Sequence, residues 1–162
     1  MTKEFLEALA KPFGIHEVAV RVGQKMKDGE SASVYLYVDV PTIENRLDAV
    51  CAQFGADWEA RKEIVSISEK SVVVKCALTI HEGGKSITRE DFDEELFLKE
   101  GATEVYKSAS SDSFKRAARA FGVGRYLAFA PFFLAKLDDK GRLVKSNEAI
   151  ISEIYRRMNL IL

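Results

Sequence analysis

Three strand-like stretches follow one another in the middle of the chain, over Trp58 to Ser68, Val72 to Ile80 and Ser86 to Leu98. Short turns separate them, the first around Glu69 to Ser71 and the second at Gly83 and Gly84. Strands that are joined by short turns pair in antiparallel order, so this block predicts a three-stranded antiparallel meander.

The segment after this block has the pattern of an amphipathic helix. Thr103 to Phe121 is rich in Ala, and Gly122 follows as a typical helix stop. At about 100° per residue, one side of the helix carries Lys115, Arg116 and Arg119, and the other carries Phe114, Ala117, Ala118 and Phe121. The apolar side is expected to dock on the sheet, which leaves a stripe of cations suited to a line of phosphates. The simpler interpretation is a solvated basic face.

The remaining patterns complete an α+β fold in one domain, residues 1–162. They predict a short helix at Lys3 to Ala10, a β-hairpin from Ile15 to Met26 and Val34 to Val40, and a helix from Thr42 to Phe54 that is closed by Gly55. A last helix is predicted over Leu143 to Leu162, with an apolar face of Ile150, Ile151, Ile154, Met158 and Ile161. These elements follow one another along the chain in the order in which they are given, with the meander and the Ala-rich helix between the second and the last helix.

The charge of the chain is segregated, although the formal net charge is only -1. The window from Tyr106 to Arg125 contains five basic residues and a single acid, whereas the window from Glu82 to Glu104 contains eight acids and three basic residues. This pattern predicts a basic binding surface and a separate acidic face. A solvated acidic edge strand would produce the same acidic window.

Several classes of protein are disfavoured. The longest apolar stretch, Tyr126 to Ala135, is about half of the roughly 20 residues that a membrane helix needs. Cys51 and Cys76 lie in apolar patterns that predict buried thiols, and with no apolar leader at the N-terminus a reducing, cytoplasmic compartment is expected. His16 and His81 have no zinc-site spacing to these cysteines, and no GxxxxGK[ST] loop is present. No metal, cofactor or nucleotide is therefore expected.

Two segments resemble a known family. KSASSDSFKRAARAFGVGRY, residues 107–126, closely resembles the signature helix of the Rad52/Rad22 single-strand annealing family, whose bacterial and phage members include the DNA-damage-response A proteins. YLYVDVPTIENRLDAVCAQFGADWEA, residues 35–60, resembles the same family's succession of strand, turn, helix and strand. The resemblance spans about Arg21 to Leu127.

The resemblance implies a non-enzymatic protein with a β-β-α-β-β-β-α core, to which the C-terminal helix is added. It implies that this core assembles side by side into rings or open arcs, with single-stranded DNA in a basic groove. The DNA-binding residues that it implies are Lys115, Arg116, Arg119, Tyr37 and Arg21, to which the basic window adds Arg125 and Lys107. Lys70 and Lys99 are the counterparts of a second, outer DNA site. Candidate subunit contacts are the acidic strand Thr88 to Glu100 and the C-terminal helix, whose apolar face fits packing within its own domain equally well.

The implied function is ATP-independent annealing of complementary strands in recombination and double-strand-break repair, in a bacterial or phage-infected cytoplasm. An exonuclease or a single-strand-binding protein is a candidate partner. Protection of single-stranded ends without annealing is one alternative. Another is a metal-dependent nuclease built from Asp91, Asp93, Glu63 and Lys62, since such sites need clustered carboxylates with a nearby Lys. A third is a module that binds double-stranded RNA or a protein.

Overall fold

The computed structural model describes residues 1–97 and 102–160. Its helices and strands are α1 (Lys3–Ala10), β1 (Ala19–Lys25), β2 (Ser31–Tyr37), α2 (Val40–Phe54), β3 (Asp57–Ile67), β4 (Ser71–Glu82), β5 (Lys85–Leu96), α3 (Ala102–Ala120), β6 (Phe133–Lys136) and α4 (Asn147–Arg157). Short 3-10 turns lie at Ile15–Glu17 and Arg125–Phe129. The predicted α+β class and the order β-β-α-β-β-β-α are confirmed. Within the described residues, no helix has the length and apolar character to cross a membrane.

The chain divides into two compact units. Unit 1 consists of Met1–Lys11 and Val40–Val123, and unit 2 consists of Pro12–Asp39 and Gly124–Leu162. Each unit contains one three-stranded antiparallel sheet, β3-β4-β5 in unit 1 and β1-β2-β6 in unit 2. Neither unit is continuous in sequence, so neither can be separated from the other by a single cut. The single domain stays a prediction.

The sheet of unit 1 is the predicted meander, with β4 in the centre and β3 and β5 antiparallel on its two sides. Alternate residues of β4 point to one face and are buried there: Val72, Val74, Cys76, Leu78 and Ile80. Helix α3 packs on this face, over β4 and β5. Burial of these side chains stabilises the unit because each removes apolar surface from water. Leu98, the predicted end of the third strand, lies outside the described residues.

The other face of this sheet is polar. The Lys75 ammonium on β4 lies 3.2 Å from a carboxylate oxygen of Glu63 on β3 and 3.7 Å from one of Glu90 on β5. The hydroxyls of Thr79 and Thr88 are hydrogen-bonded across β4 and β5 at 2.9 Å. This alternation of an apolar and a polar face is typical of an antiparallel sheet that is covered on one side.

Helices α1 and α2 pack together in unit 1. The Phe5 N–H donates to Oγ1 of Thr2, which caps the start of α1, and the rings of Phe5 and Phe54 lie 5.0 Å apart. Helix α2 begins at Val40, slightly earlier than predicted, because Pro41 fits the first turn of a helix, where its missing N–H has no intrahelical partner. The predicted stop at Gly55 is confirmed by its φ of 64°.

Both cysteines are buried and unpaired, as their apolar patterns predict. Burial raises the pKa of the Cys51 thiol to about 11, with a further contribution from the nearby carboxylates of Asp57 and Asp48. Burial also raises the pKa of Cys76. Both side chains are therefore protonated at neutral pH and serve as small apolar groups of the core.

The sheet of unit 2 has β2 in the centre, between β1 and β6. On β2 the side chains of Ala32, Val34 and Leu36 are buried, whereas those of Tyr35 and Tyr37 are exposed. Strand β6 escaped prediction because it lies in a continuous apolar run, PFFLAK, where no alternation of polar and apolar residues shows in the letters. Pairing with β2 imposes the alternation, with Phe133 and Ala135 buried and Leu134 exposed.

Helix α4 is shorter than predicted. It begins at Asn147 because Oγ of Ser146 accepts a hydrogen bond from the Ala149 N–H, and it ends at Arg157. Its apolar residues Ile150, Ile151 and Ile154 are at most 1% exposed. The interpretation that the apolar face of this helix packs within the chain is confirmed. The alternative, that this face is a subunit contact, is wrong for these three residues. Ile161 lies outside the described residues.

Two tyrosines join the separate segments of unit 2. The Tyr155 hydroxyl donates to the carbonyl of Phe13 at 3.0 Å and lies 2.6 Å from the hydroxyl of Tyr126. The Phe13 N–H in turn donates to the Tyr126 hydroxyl at 3.0 Å. Burial raises the pKa of Tyr155, as does the hydrogen bond with Tyr126, so the hydroxyl stays protonated. This closed set of hydrogen bonds links the start of unit 2 to its last helix.

Candidate nucleic-acid interface

The second half of α3 carries three cations outside its buried apolar side. Its inner side is closely packed, since Phe114, Ala117 and Ala118 are at most 1% exposed. Lys115 and Arg116 retain 31% and 44% of their side-chain exposure, and Arg119 is partly buried. The predicted division of this helix into an apolar and a basic side is confirmed. Gly122, with a φ of 105°, ends the helix in a conformation that residues with a Cβ rarely adopt.

Two of these cations, Lys115 and Arg116, form ion pairs with carboxylates. The Lys115 ammonium donates to Oδ1 of Asp112, one helical turn earlier, at 2.7 Å. The Arg116 Nε–H donates to Oδ1 of Asp91 on β5 at 3.0 Å. Although partial burial raises the pKa of Asp91, hydrogen bonds from the Phe92 N–H and Arg116, together with the charge of Arg119, lower it below its ordinary value. Asp91 is therefore ionised at neutral pH, and a phosphate must compete with it for Arg116.

Two more acidic residues of β5 lie on the same face of the sheet as Asp91. The register pairs Asp91, Asp93 and Glu95 with the buried residues of β4, which places them on the face that α3 covers. Oxygen atoms of Asp93, Glu95 and Asp112 lie within 4.8 Å of one another. Burial raises the pKa of Asp93, as do the negative charges of Asp112 and Glu95. Among the described residues these are the carboxylates placed closely enough to hold a cation jointly.

The four residues of the nuclease hypothesis are not brought together. Glu63 pairs with Lys75 on the polar face of the sheet. Lys62, its neighbour on β3, points to the opposite face, where its ammonium lies 5.3 Å from the centre of the Phe114 ring. Asp91 and Asp93 share that face but lie on β5, on the other side of β4. Strand alternation and sheet order therefore separate Glu63 from the two aspartates, and the predicted set is wrong.

Replacing Asp91 by Asn is expected to make Arg116 more available to the phosphates of single-stranded DNA, the ligand that the sequence resemblance implies. The substitution removes a competing charge beside Arg116 while it keeps the side chain's size and its ability to accept hydrogen bonds. Because exposed ion pairs contribute about 0–1 kcal/mol, we expect affinity to rise by up to about 5-fold at low salt and by less as salt increases. Fluorescence anisotropy with a labelled oligonucleotide measures this change.

Glu90→Gln is the matched control for Asp91→Asn. Glu90 lies next to Asp91 on β5, but it faces Lys75 on the polar side of the sheet. The control removes the same charge from the protein as a whole, so it reveals any effect of net charge alone. Equal gains in the two variants, or a loss of affinity in Asp91→Asn, would contradict the competition between Asp91 and phosphate.

The other predicted cations of unit 1 are more scattered. Lys107 is exposed on the first half of α3 and pairs with Glu104 at 2.8 Å. Lys70 is exposed in the turn between β3 and β4, where its carbonyl accepts a hydrogen bond from the Phe97 N–H at 2.7 Å. Lys99, its predicted companion in an outer site, lies outside the described residues. The role of both lysines in DNA binding stays a prediction.

The remaining predicted residues belong to unit 2. Arg21 on β1 and Tyr37 on β2 are exposed on the outer face of its sheet, and Arg125 is exposed at the start of the second 3-10 turn. The register places Tyr35 directly opposite Arg21. Tyr35 is 56% exposed and was not predicted as a site residue, although its spacing of two from Tyr37 places both rings on one face of a strand.

An open depression of about 480 Å³ lies beside Phe114 of α3. It is lined by Glu44, Trp58, Glu59, Ala60, Lys62 and Phe114. The Trp58 and Phe114 rings are 6.0 Å apart, and the Trp58 indole N–H donates to Asp48 at 2.6 Å. Phe114 therefore packs against a Trp58 ring that a hydrogen bond to α2 holds in place. The depression has mixed charge, with two acids and one Lys.

Comparison with known families agrees with this arrangement. Residues 2–140 match the model of the Rad52/22 family of double-strand break repair proteins, which covers most of the chain. The fold, with its meander and basic helix, and this match define the class: the chain belongs to the Rad52/22 family.

Two bacterial relatives are similar over much of the chain. It is 37% identical over 134 residues to the single-stranded DNA-binding protein DdrA of Deinococcus radiodurans, a match that covers 83% of this chain and 59% of that protein. It is 36% identical over 123 residues to the DdrA protein of Deinococcus deserti, with coverage of 76% and 56%. The chain thus aligns with somewhat more than half the length of these relatives.

Proposed function

We propose that this chain binds single-stranded DNA and anneals complementary strands without ATP, in recombination and double-strand-break repair. One observation carries the proposal: Lys115, Arg116 and Arg119 lie along α3 outside its buried apolar side, with Lys115 and Arg116 still 31% and 44% exposed. A row of cations on a rigid helix suits the regular spacing of phosphates. Family membership and the single-stranded DNA-binding relatives support the choice of ligand.

Annealing follows from the kind of contact that these residues make. Contacts from Lys and Arg to phosphate oxygens carry no sequence information and leave the base edges free to test a second strand. A protein that enclosed every base against an aromatic ring would protect the strand but oppose its pairing. A groove with many cations and few aromatic residues is therefore suited to annealing.

Oligomerisation belongs to the same proposal. A protomer that contacts only a few phosphates binds weakly at physiological salt, whereas adjacent protomers provide a continuous groove and a large gain in avidity. We propose a ring or an open arc of identical subunits. The acidic strand β5 is an edge of its sheet and remains a candidate subunit contact, opposite a basic surface of the neighbour.

The test is a strand-pairing assay without ATP and with EDTA present to remove metal ions. Two complementary oligonucleotides, labelled with a donor and an acceptor fluorophore, are mixed with and without the protein, and the rate of energy transfer is recorded. We expect the protein to accelerate pairing at concentrations that saturate both strands. Light scattering coupled to size-exclusion chromatography measures the oligomeric state in the same buffer.

The outcomes separate the proposal from its alternatives. Binding of single strands with no acceleration would replace annealing by protection of single-stranded ends. Shortening of the strands when EDTA is replaced by Mg²⁺ would indicate a nuclease. Preference for duplex RNA over single-stranded DNA would overturn the choice of ligand.

A further inference from the structure

The outer face of the β1-β2-β6 sheet combines aromatic rings with positive charge. The register places on this face Ala19, Arg21 and Gly23 of β1, Ser31, Ser33, Tyr35 and Tyr37 of β2, and Leu134 and Lys136 of β6, of which Ser33 is buried. All three strands lie within the described residues, and this face of them carries two cations and no acid. Tyr35 is 56% exposed at its centre, directly opposite Arg21. Such a surface complements a polyanion that also carries flat apolar groups.

A β-bulge in β1 lies next to the Tyr35 ring. Val22 pairs with Val34, but the next pair is Lys25 with Ala32, so Gly23 and Gln24 together face the single residue Ser33. The Gln24 N–H donates to Oγ of Ser33 at 3.0 Å, and this hydrogen bond satisfies the extra residue of the bulge. Ser33 is 2% exposed, so the bulge is held by a buried contact.

Gly23 provides the space that the ring occupies. A Cβ atom at this position would collide with the ring edge of Tyr35 and with Oγ of Ser33. The backbone of Gly23 does not have a positive φ, so close approach of the ring, and not backbone conformation, explains the glycine. The ring of Tyr35 therefore lies against the β1 backbone at Gly23, while more than half of the side chain is exposed to solvent.

We propose that Tyr35 is a nucleobase-stacking residue, and that a base of a single strand stacks on its ring while Arg21 contacts an adjacent phosphate. A ring that is already supported by the backbone loses little conformational freedom on stacking. Stacking is tolerant of sequence because every base has a π-face. This inference rests on the proposed binding of single-stranded DNA. It adds a contact with the bases to the proposed contacts with phosphates, and one or two such contacts per protomer leave most bases free to pair.

The experiment compares two ligands with the same phosphates. One is a labelled oligothymidine, and the other is an abasic strand of the same length, which keeps the charge but has no bases. The full chain is titrated with each strand by fluorescence anisotropy, as wild type and as Tyr35→Ala, Tyr35→Phe and Gly23→Ala. We expect the wild type to prefer the base-bearing strand by about 5-fold to about 150-fold for each stacked base.

Tyr35→Ala is expected to lose most of this preference without weaker binding to the abasic strand, whereas Tyr35→Phe keeps it. Gly23→Ala is expected to reduce the preference because its methyl group displaces the ring. Phe92→Ala is the matched control, since Phe92 is 47% exposed on the outer face of the other sheet, opposite Lys75. Thermal unfolding of each variant verifies that the sheet is intact.

Failure of the proposed function and failure of the stacking inference give different results in this experiment. A wild-type protein that binds neither strand overturns the proposed function, and the stacking inference with it. Equal wild-type affinity for the two strands overturns stacking but leaves phosphate-mediated binding in place. A base preference that survives in Tyr35→Ala, or that is lost equally in Phe92→Ala, overturns the assignment to Tyr35.

Discussion

Replacing Lys115, Arg116 and Arg119 together by alanine is expected to weaken the binding of single-stranded DNA on the order of 100-fold at low salt, about 1 kcal/mol for each lost phosphate contact. All sequences are affected alike, because phosphate contacts carry no sequence information. The slope of log affinity against log salt is expected to fall by about 0.7 per contact, or about 2 in total. Anisotropy titrations across a salt series measure both quantities, and the strand-pairing assay is expected to lose its acceleration.

The fold of this triple variant is expected to persist. Alanine is the best helix former, and none of the three side chains is among the buried residues of α3. The control is the exposed triple Lys3→Ala, Lys85→Ala and Lys140→Ala, which removes the same charge elsewhere. Loss of cooperative unfolding in the test variant would contradict the placement of these side chains. Equal weakening of DNA binding in the control would mean that net charge, not this helix, holds the strand.

Phe114→Ala is expected to destabilise unit 1 by about 3–5 kcal/mol, a large part of the 5–15 kcal/mol that keeps a typical domain folded. The ring is 1% exposed, lies 6.0 Å from Trp58 and is covered by the Lys62 ammonium, so its removal leaves a cavity. Urea unfolding measures the loss. Trp58, the single tryptophan of the chain, reports it by fluorescence because it contacts the substituted position.

Phe92→Ala is the control for this substitution as well, because the Phe92 ring is 47% exposed and its removal is expected to cost less than about 0.5 kcal/mol. A similar loss of stability in both variants would contradict the docking of α3 through Phe114. Together with the triple variant, Phe114→Ala separates the two sides of the helix. The triple substitution on the basic side is expected to lower the affinity for DNA without lowering stability. Phe114→Ala on the apolar side is expected to lower the free energy of unfolding first.

The part of the fold that sequence patterns predicted is the part with strong periodicity. The meander was predicted by turns at regular intervals, and the two sides of α3 by the angular separation of its Phe and Ala residues from its cations. Strand β6 was missed because its apolar run has no alternation. The C-terminal helix was predicted too long because the cap at Ser146, and not the apolar pattern, sets its start.

In the candidate site, too, local sequence patterns identified some residues and missed others. A helical wheel identified Lys115, Arg116 and Arg119, since their spacing is local. It did not identify Asp91 as the partner of Arg116, 25 residues away, or show that Glu63 and Lys62 point to opposite faces of their sheet. The supported ring of Tyr35 depends on a bulge between β1 and β2, which appears only when the two strands are in register.

The amino-acid sequence by itself determined the class of fold, the order of the elements from β1 to α3, the buried thiols and the basic side of α3. Each of these follows from the identity of residues within a few positions of one another, where helical or strand geometry is regular. Only the tertiary structure decided which acids accompany the cations, which carboxylates cluster and where an aromatic ring is held flat on a sheet. Those features depend on strand register and on helix placement, which bring together side chains that are distant in sequence and that no local pattern can pair.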